Sequence, residues 1–180
     1  KERGLSMALD MGGSNVRATS YELKGNGVLE VVKEVKHSIP TEYMSGTAEQ
    51  VFGFLADCIV EAHPEPGTKL GFTFSFPSEQ TAINRSKLGI WTKGFSASGC
   101  VGVDSVELLE KALAARNCPV KVTAICNDTV GTLISRSYSD PNTAVGIILG
   151  TGCNAAYMEN MSRVTKSSRK SATGRVIINM

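Results

Sequence analysis

Apolar positions recur along the chain with two periods, and the switches between them mark out the elements. Alternation over Ser6–Asp10 and Val16–Leu23 predicts two strands, joined as a hairpin through Met11-Gly12-Gly13-Ser14-Asn15. Val28–His37 alternates as a third strand after the turn Lys24-Gly25-Asn26-Gly27. The period then lengthens. Thr47 followed by Gln50 has capping-box spacing, and Val51, Phe54, Leu55, Cys58, Ile59 and Ala62 follow at helical intervals as far as Pro64. Lys69–Phe76 returns to alternation and Pro77 ends it. Ser78–Gly102 shows no clear period beyond an apolar patch at Leu88–Trp91, which predicts loop with short strands.

Asp104 with Glu107 repeats the capping-box spacing, and Val106, Leu109, Ala112 and Leu113 predict a helix ending near Asn117-Cys118-Pro119. Val120–Cys126 reads as a strand. A helix over Thr129–Tyr138 follows, with Asp128 at its start and Asp140-Pro141 as its stop. Ala144–Leu149 is a fully apolar strand, Gly150-Thr151-Gly152-Cys153 a turn, Asn154–Met158 a strand again, and Val176–Met180 a further one.

Three strands joined by hairpins, then strands alternating with helices, predict an α/β ribonuclease-H-like unit, in which the first glycine turn and later strand ends converge. The second hairpin begins to repeat the first, and two such units form the bilobal actin-like ATPase fold. The expected division is a small domain over residues 1–128, complete or nearly so, and the start of a large domain over 129–180, truncated.

Composition narrows the function classes. A 180-residue chain that is 42% hydrophobic can bury about 70% of its unfolded surface, enough for one core or two small ones. Lys+Arg of 19 against Asp+Glu of 17 leaves +2 with no run of one sign, so no nucleic-acid or membrane partner is expected. Arg163, Lys166, Arg169, Lys170 and Arg175 are spread among Ser and Thr and read as a solvated loop. The five cysteines include no Cys-x-x-Cys pair, which predicts reduced thiols inside a cell. With no bilayer-length apolar stretch and no leader-like opening, the expectation is a soluble, cytoplasmic protein.

The candidate chemistry lies in two glycine turns and one strand end. Asp10-Met-Gly12-Gly13-Ser14-Asn15 with Arg17 is a candidate phosphate cradle, because glycines let backbone N–H groups approach anionic oxygens and Asp10 can hold Mg²⁺ through water. The same residues also suit an ordinary hairpin, since the glycines run into a strand rather than the helix that a dinucleotide fingerprint requires. Gly150-Thr151-Gly152 adds a hydroxyl and a second close-approach turn. At the carboxyl end of a strand, where open α/β sheets bind ligands, stand Asn127 and Asp128. Asp128 suits a base that accepts the proton of an attacking hydroxyl, and equally a helix cap for Thr129 onward.

Five segments carry a resemblance. Leu9-Asp10-Met-Gly-Gly-Ser-Asn-Val-Arg17, Leu70-Gly-Phe-Thr-Phe-Ser-Phe-Pro77, Trp91-Thr-Lys-Gly-Phe95, Asn127-Asp-Thr-Val-Gly-Thr132 and Gly150-Thr-Gly-Cys-Asn-Ala155 with Tyr157-Met-Glu-Asn-Met161 resemble, in order and spacing, the successive motifs of the hexokinase and glucokinase family.

The resemblance implies transfer of the terminal phosphoryl of Mg-ATP to the 6-hydroxyl of glucose or a similar hexose, the first step of glycolysis. It implies Asp128 as general base and Asn127 beside it as a sugar ligand. Ser75, Phe76, Thr92 and Lys93 match the small-domain groups that close over the sugar, and Asn154 matches a sugar ligand from the large domain. Asp10, Gly12, Gly13, Ser14, Asn15 and Arg17 match the first phosphate motif, and Thr151 with Gly152 the second.

Two departures are mild: Ser14 stands where the family usually has Thr, and Cys153 stands where hexokinases often have Ser and glucokinase-like members Cys. Cys153 is expected as a buried packing thiol. The family also continues well past Met180, with further sugar-binding Glu residues and the adenosine pocket. The expectation is therefore an amino-terminal portion, inactive or nearly so by itself, with self-association through an exposed Ala144–Leu149 edge. The competing expectation is a non-catalytic hexose-binding or regulatory module.

Overall fold

A computed structural model describes residues 2–166 and 171–180, so Arg169 and Lys170 of the expected basic loop lie outside the described residues. The chain divides into two compact units, residues 1–127 and 128–180.

The first unit opens with β1 (Arg3–Met11), β2 (Asn15–Gly25) and β3 (Val28–Ser38). β1 and β2 pair antiparallel from Arg3↔Lys24 to Met11↔Val16, which makes Met11–Asn15 the hairpin turn the sequence predicts. A one-turn helix α1 (Thr41–Met44) leads to α2 (Ala48–Glu61). At the start of α2 the Thr47 hydroxyl accepts from Gln50 N while the Gln50 side chain accepts from Thr47 N, so the capping box is reciprocal.

β4 (Lys69–Phe74) then lies parallel to β1. The aperiodic stretch resolves into the hairpin β5 (Ser78–Ala82) and β6 (Arg85–Leu88). Helix α3 (Ser105–Ala114) is capped at Asp104, whose carboxylate accepts from Val106 N and Glu107 N. Its cap runs one way, from the Asp104 side chain, where the sequence spacing suggested a reciprocal box. β7 (Lys121–Cys126) completes a five-stranded sheet of order β3-β2-β1-β4-β7. That order, with parallel β1, β4 and β7 beside an antiparallel meander, is the ribonuclease-H-like arrangement expected from the element order.

The sheet is amphipathic because its side chains alternate faces. Met7, Leu9 and Met11 on β1, Leu70, Phe72 and Phe74 on β4, and Val122 and Ile125 on β7 join one core with Val51, Phe52, Leu55 and Ile59 of α2 and Leu109 and Leu113 of α3. A bidentate ion pair between Asp57 and Arg116, at 2.5 and 2.9 Å, bridges the two helices. It holds the Arg116 guanidinium pKa above its ordinary value, chiefly through that hydrogen bond. The outer edge of β7 is covered locally: Ile125 N donates to Ile83 O at 2.9 Å and Gln80 Nε2 donates to Ile125 O at 2.8 Å.

The second unit begins with α4 (Asp128–Ser139) and continues through β8 (Val145–Leu149), β9 (Cys153–Asn160), a 3₁₀ turn at Met161–Arg163 and β10 (Arg175–Asn179). The three strands form an antiparallel sheet of order β10-β9-β8. α4 lies close against β8: a Cβ on Gly146 would stand 2.7 Å from Leu133 N and 2.9 Å from Leu133 Cβ. Only a residue without a side chain permits that approach. No helix among the described residues is long and apolar enough to cross a membrane.

Candidate active site

In the first unit the structure brings together the turn after β1, the end of β4 and the loop before α3. Gly12 N donates to Asn15 O at 2.9 Å, closing the turn, and Ile39 N donates to Ser14 O at 3.0 Å, tying it to the end of β3. Asn15 is held by its neighbours, with Nδ2 donating to Ser14 Oγ and Oδ1 accepting from Ser38 Oγ. Asp10 sits at the carboxyl end of β1, in register with Arg17 on β2 and Thr73 on β4. The Arg17 guanidinium lies 3.8 Å from Glu34, a solvent-exposed pair of small energetic weight.

Ser75 and Phe76 follow β4 directly. Ser75 N donates to Met11 O at 3.3 Å, extending the β1–β4 pairing past the strand ends and fixing where Ser75 lies relative to the glycine turn. Phe76 enters an aromatic cluster: its ring meets Phe74 at 5.0 Å between centroids, Phe95 edge-on at 5.0 Å and Trp91 edge-on at 4.7 Å. Trp91 stacks on Phe95 and its Nε1 donates to Ala97 O at 2.8 Å, so the indole is satisfied at its polar end.

Between those rings the chain makes a tight turn that the sequence did not predict. Phe95 N donates to Thr92 O at 3.1 Å, and both central residues are left-handed, with φ 57° at Lys93 and 83° at Gly94. That is the geometry of a type I′ turn. A lysine with positive φ is uncommon, and here its side chain is held at both ends. Its stem runs along Gly13, and its Nζ donates to Ser75 O at 2.8 Å while lying 5.5 Å from the Phe76 ring centre. An ammonium has three N–H donors, so two remain for a ligand. Thr92 is exposed beside it.

Asn127 ends the first unit and Asp128 opens the second. Asp128 is half-buried, and its Oδ1 accepts from Thr129 N at 2.9 Å and from Thr129 Oγ1 at 3.3 Å. Asp128 is thus the first residue of α4, with a carboxylate oxygen engaged by the helix start. These contacts match the reading of Asp128 as a carboxylate that helps close the helix.

Farther along the second unit, Asn154 donates through Nδ2 to Asn179 Oδ1 at 2.8 Å and accepts at Oδ1 from Ala155 N at 2.9 Å. Asn179 therefore orients Asn154, a role that spacing alone could not reveal. Thr151 and Gly152 lie on the exposed turn between β8 and β9, where Gly150 N donates to Gly152 O at 3.2 Å. Cys153 is exposed, which corrects the expectation of a buried thiol. It opens β9 beside that solvent-facing turn, where no core element among the described residues covers it.

Among the described residues no group of three or more His, Cys, Asp or Glu side chains could hold a metal ion. With nucleotides Mg²⁺ commonly takes one or two carboxylates, its remaining positions being filled by waters and phosphate oxygens. Asp10, exposed near the carboxyl end of β1, is a carboxylate of that kind.

Comparison with known proteins gives a consistent result. A hexokinase family model matches residues 1–138 and a second hexokinase model residues 144–180. Hexokinase-1 of Schizosaccharomyces pombe is 42% identical over 92% of this chain, and the hexokinase of Schistosoma mansoni is 44% identical over 91%. The chain spans only 35% and 37% of the lengths of those two relatives. Among solved structures, the Schistosoma mansoni hexokinase complexed with glucose superposes on 99% of the chain and 41% of its own, with 41% identity and a TM-score of 0.89. An inorganic polyphosphate/ATP-glucomannokinase from Arthrobacter, at 20% identity and a TM-score of 0.64, shares the fold. With a family model covering well over half of its residues and these relatives across nearly all of it, the chain belongs to the hexokinase family.

Proposed function

We propose that the protein containing this chain transfers the terminal phosphoryl group of ATP to the 6-hydroxyl of glucose or a closely similar hexose. The observation that carries this is the match, over 99% of the chain, to a hexokinase solved with glucose. A more distant relative in fold was solved with glucose and AMPPNP, which supports the same pair of ligands.

In this reading Asp128 accepts the proton of the sugar 6-hydroxyl as its oxygen attacks, and Asn127 binds the sugar beside it. Ser75, Phe76, Thr92, Lys93 and Asn154 provide the hydroxyl, backbone, ammonium and amide groups that a polyhydroxylated ligand needs for discrimination. Lys93 fits the part because its ammonium is already anchored on Ser75 O, so ordering it costs little side-chain entropy on binding. The turns at Asp10–Asn15 with Arg17 and at Thr151–Gly152 take the phosphates. Asp10 would hold Mg²⁺ through water, and the ion would supply charge neutralisation on the phosphate oxygens.

The test is turnover of glucose with Mg-ATP by the full-length protein. Glucose binding without ATP-dependent turnover would replace this reading with that of a non-catalytic hexose-binding module. The 180-residue chain alone is expected to turn over little, since it spans about a third of its relatives' length. β8 lies at an edge of its sheet with Ile147 and Leu149 exposed, which supports self-association of the isolated chain through the Ala144–Leu149 edge. Sedimentation that shifts with concentration is the expected outcome, and a constant monomer rejects it.

A further inference from the structure

The two glycines of the first turn sit side by side and yet meet different surroundings. Neither Gly12 nor Gly13 has a left-handed φ, so backbone conformation does not require glycine at either position. Space distinguishes them. A Cβ on Gly12 would find only Asn15 O, at an ordinary 3.5 Å. One on Gly13 would stand 2.9 Å from Lys93 Cδ, 3.3 Å from Lys93 Cβ and 3.5 Å from Lys93 Cγ.

The chain's own packing thus leaves Gly12 open, which suits close approach by an outside group. Gly13 is already occupied, and its occupant is the stem of Lys93. That stem cannot yield freely, because Lys93 Cβ is fixed by the left-handed turn and Nζ by Ser75 O.

We infer that Gly13 is a positioning residue for the sugar, acting through Lys93, although it lies in the turn assigned to phosphate. This rests on the hexose-kinase reading and deepens it, by assigning the adjacent glycines to different substrates. Gly12 serves the nucleotide, and Gly13 provides the groove in which the Lys93 stem lies, so that the ammonium reaches Ser75 O and presents its remaining donors to the hexose. A methyl group at position 13 rotates the stem outward and withdraws the ammonium from that place.

Steady-state kinetics of the full-length protein test the assignment. Gly13→Ala is expected to raise the KM for glucose about tenfold or more, the equivalent of about 1.4 kcal/mol, with the KM for ATP changed less than about threefold. Gly12→Ala is expected to show the opposite split. In a Lys93→Ala background, adding Gly13→Ala is expected to change the glucose KM by less than about twofold, because the group it displaces is gone.

An ATP KM that rises with Gly13→Ala as much as the glucose KM, or effects of Gly13→Ala and Lys93→Ala that multiply, overturns the inference. Thermal unfolding of the same four proteins covers loss of fold. If Gly13→Ala unfolds, restoration by Lys93→Ala supports the contact, and an unfolded double variant overturns it. A wild-type protein that turns over no hexose defeats the kinase reading itself, and one that also binds none defeats the sugar role of Lys93. An active wild type with multiplying variants defeats only the inference.

Discussion

The two units of the chain use apolar residues differently. In residues 1–127 the apolar faces of five strands and two helices meet in one core, and Leu9, Leu55, Ile59, Leu70 and Val122 have no measurable exposure. In residues 128–180 the described buried apolar side chains are Leu133 and Ala156, while Val145, Ile147 and Leu149 on β8 face solvent. Ordering a residue costs about 1–2 kcal/mol of backbone entropy, and buried apolar surface is the main offsetting contribution. The first unit therefore has the means to fold by itself, whereas the second holds its strands mainly by their ladders and by α4 against Gly146. Candidate chemistry does not follow that division. The Lys93 knot sits on the well-packed unit, and Asp128, Asn154 and Thr151 sit on the thinly packed one.

The largest expected effect probes that mismatch. Asp128→Ala in the full-length protein is expected to lower kcat by about 10²–10⁴, the range for loss of a general base. Its stability should fall by about 1 kcal/mol, the loss of the helix-start contact to Thr129, because the described core does not include Asp128. Turnover within about tenfold of wild type would remove Asp128 from the chemistry and leave it a helix-start residue only.

Core substitution sharpens the contrast in stability. Phe74 is buried between Phe72, Phe76 and Trp91, so Phe74→Ala is expected to cost about 3–5 kcal/mol. Ile147 is mostly exposed, so Ile147→Ala should stay within about 0.5 kcal/mol in chemical denaturation. Equal losses at both positions would mean that the second unit buries far more than its described residues indicate.

Much of the element pattern was legible in the sequence, because it rests on local rules. The alternation of Met7, Leu9 and Met11 and the Thr47–Gln50 spacing each depend on neighbours within a few residues. β5 was not legible: Ser-Glu-Gln-Thr-Ala is polar on both faces, with no buried residue in the strand. The turn at Thr92–Phe95 also escaped, since Lys-Gly is a weak turn signal and the left-handed Lys93 depends on contacts with Gly13 and Ser75, distant in sequence. The candidate site followed the same pattern. Its residues came from the resemblance of five motifs, but the Lys93 stem on Gly13 and the Asn179 contact to Asn154 exist only in three dimensions.

The cysteines offer an intermediate test. Burial, aided by nearby carboxylates, pushes the Cys58 and Cys100 thiols up to about 11. At pH 8 roughly one molecule in a thousand carries either thiolate, against about one in ten for a thiol of ordinary pKa near 9. Cys153, exposed in the second unit, should label with a thiol reagent faster than either, because the reagent reaches it without the fold opening. The raised folded-state values also set a sign for stability. Unfolded chains lose these protons above pH 9 while folded chains keep them to about 11, so the contribution is full below pH 9 and lost as pH rises towards 11. Equal labelling rates in the native protein would show that the first unit opens as readily as the second.

The smallest expected effect compares how the two units begin a helix. α2 is closed by a reciprocal pair of hydrogen bonds from Thr47 and Gln50, and α4 by the Asp128 carboxylate on Thr129. Thr47→Ala removes the hydroxyl half of the box and is expected to cost about 1 kcal/mol, with turnover unchanged because Thr47 lies outside the candidate site. Asp128→Asn keeps an oxygen able to accept from Thr129 N and gives up only the charge at the helix start, worth about 0.3–1 kcal/mol. Its stability should fall by no more than that of Thr47→Ala, yet its turnover should fall with that of Asp128→Ala, because an amide accepts no proton. The two substitutions therefore separate a carboxylate kept for its helix from one kept for its base. If Asp128→Asn retains turnover and loses stability beyond the Thr47→Ala value, α4 needs the charge and the chemistry does not.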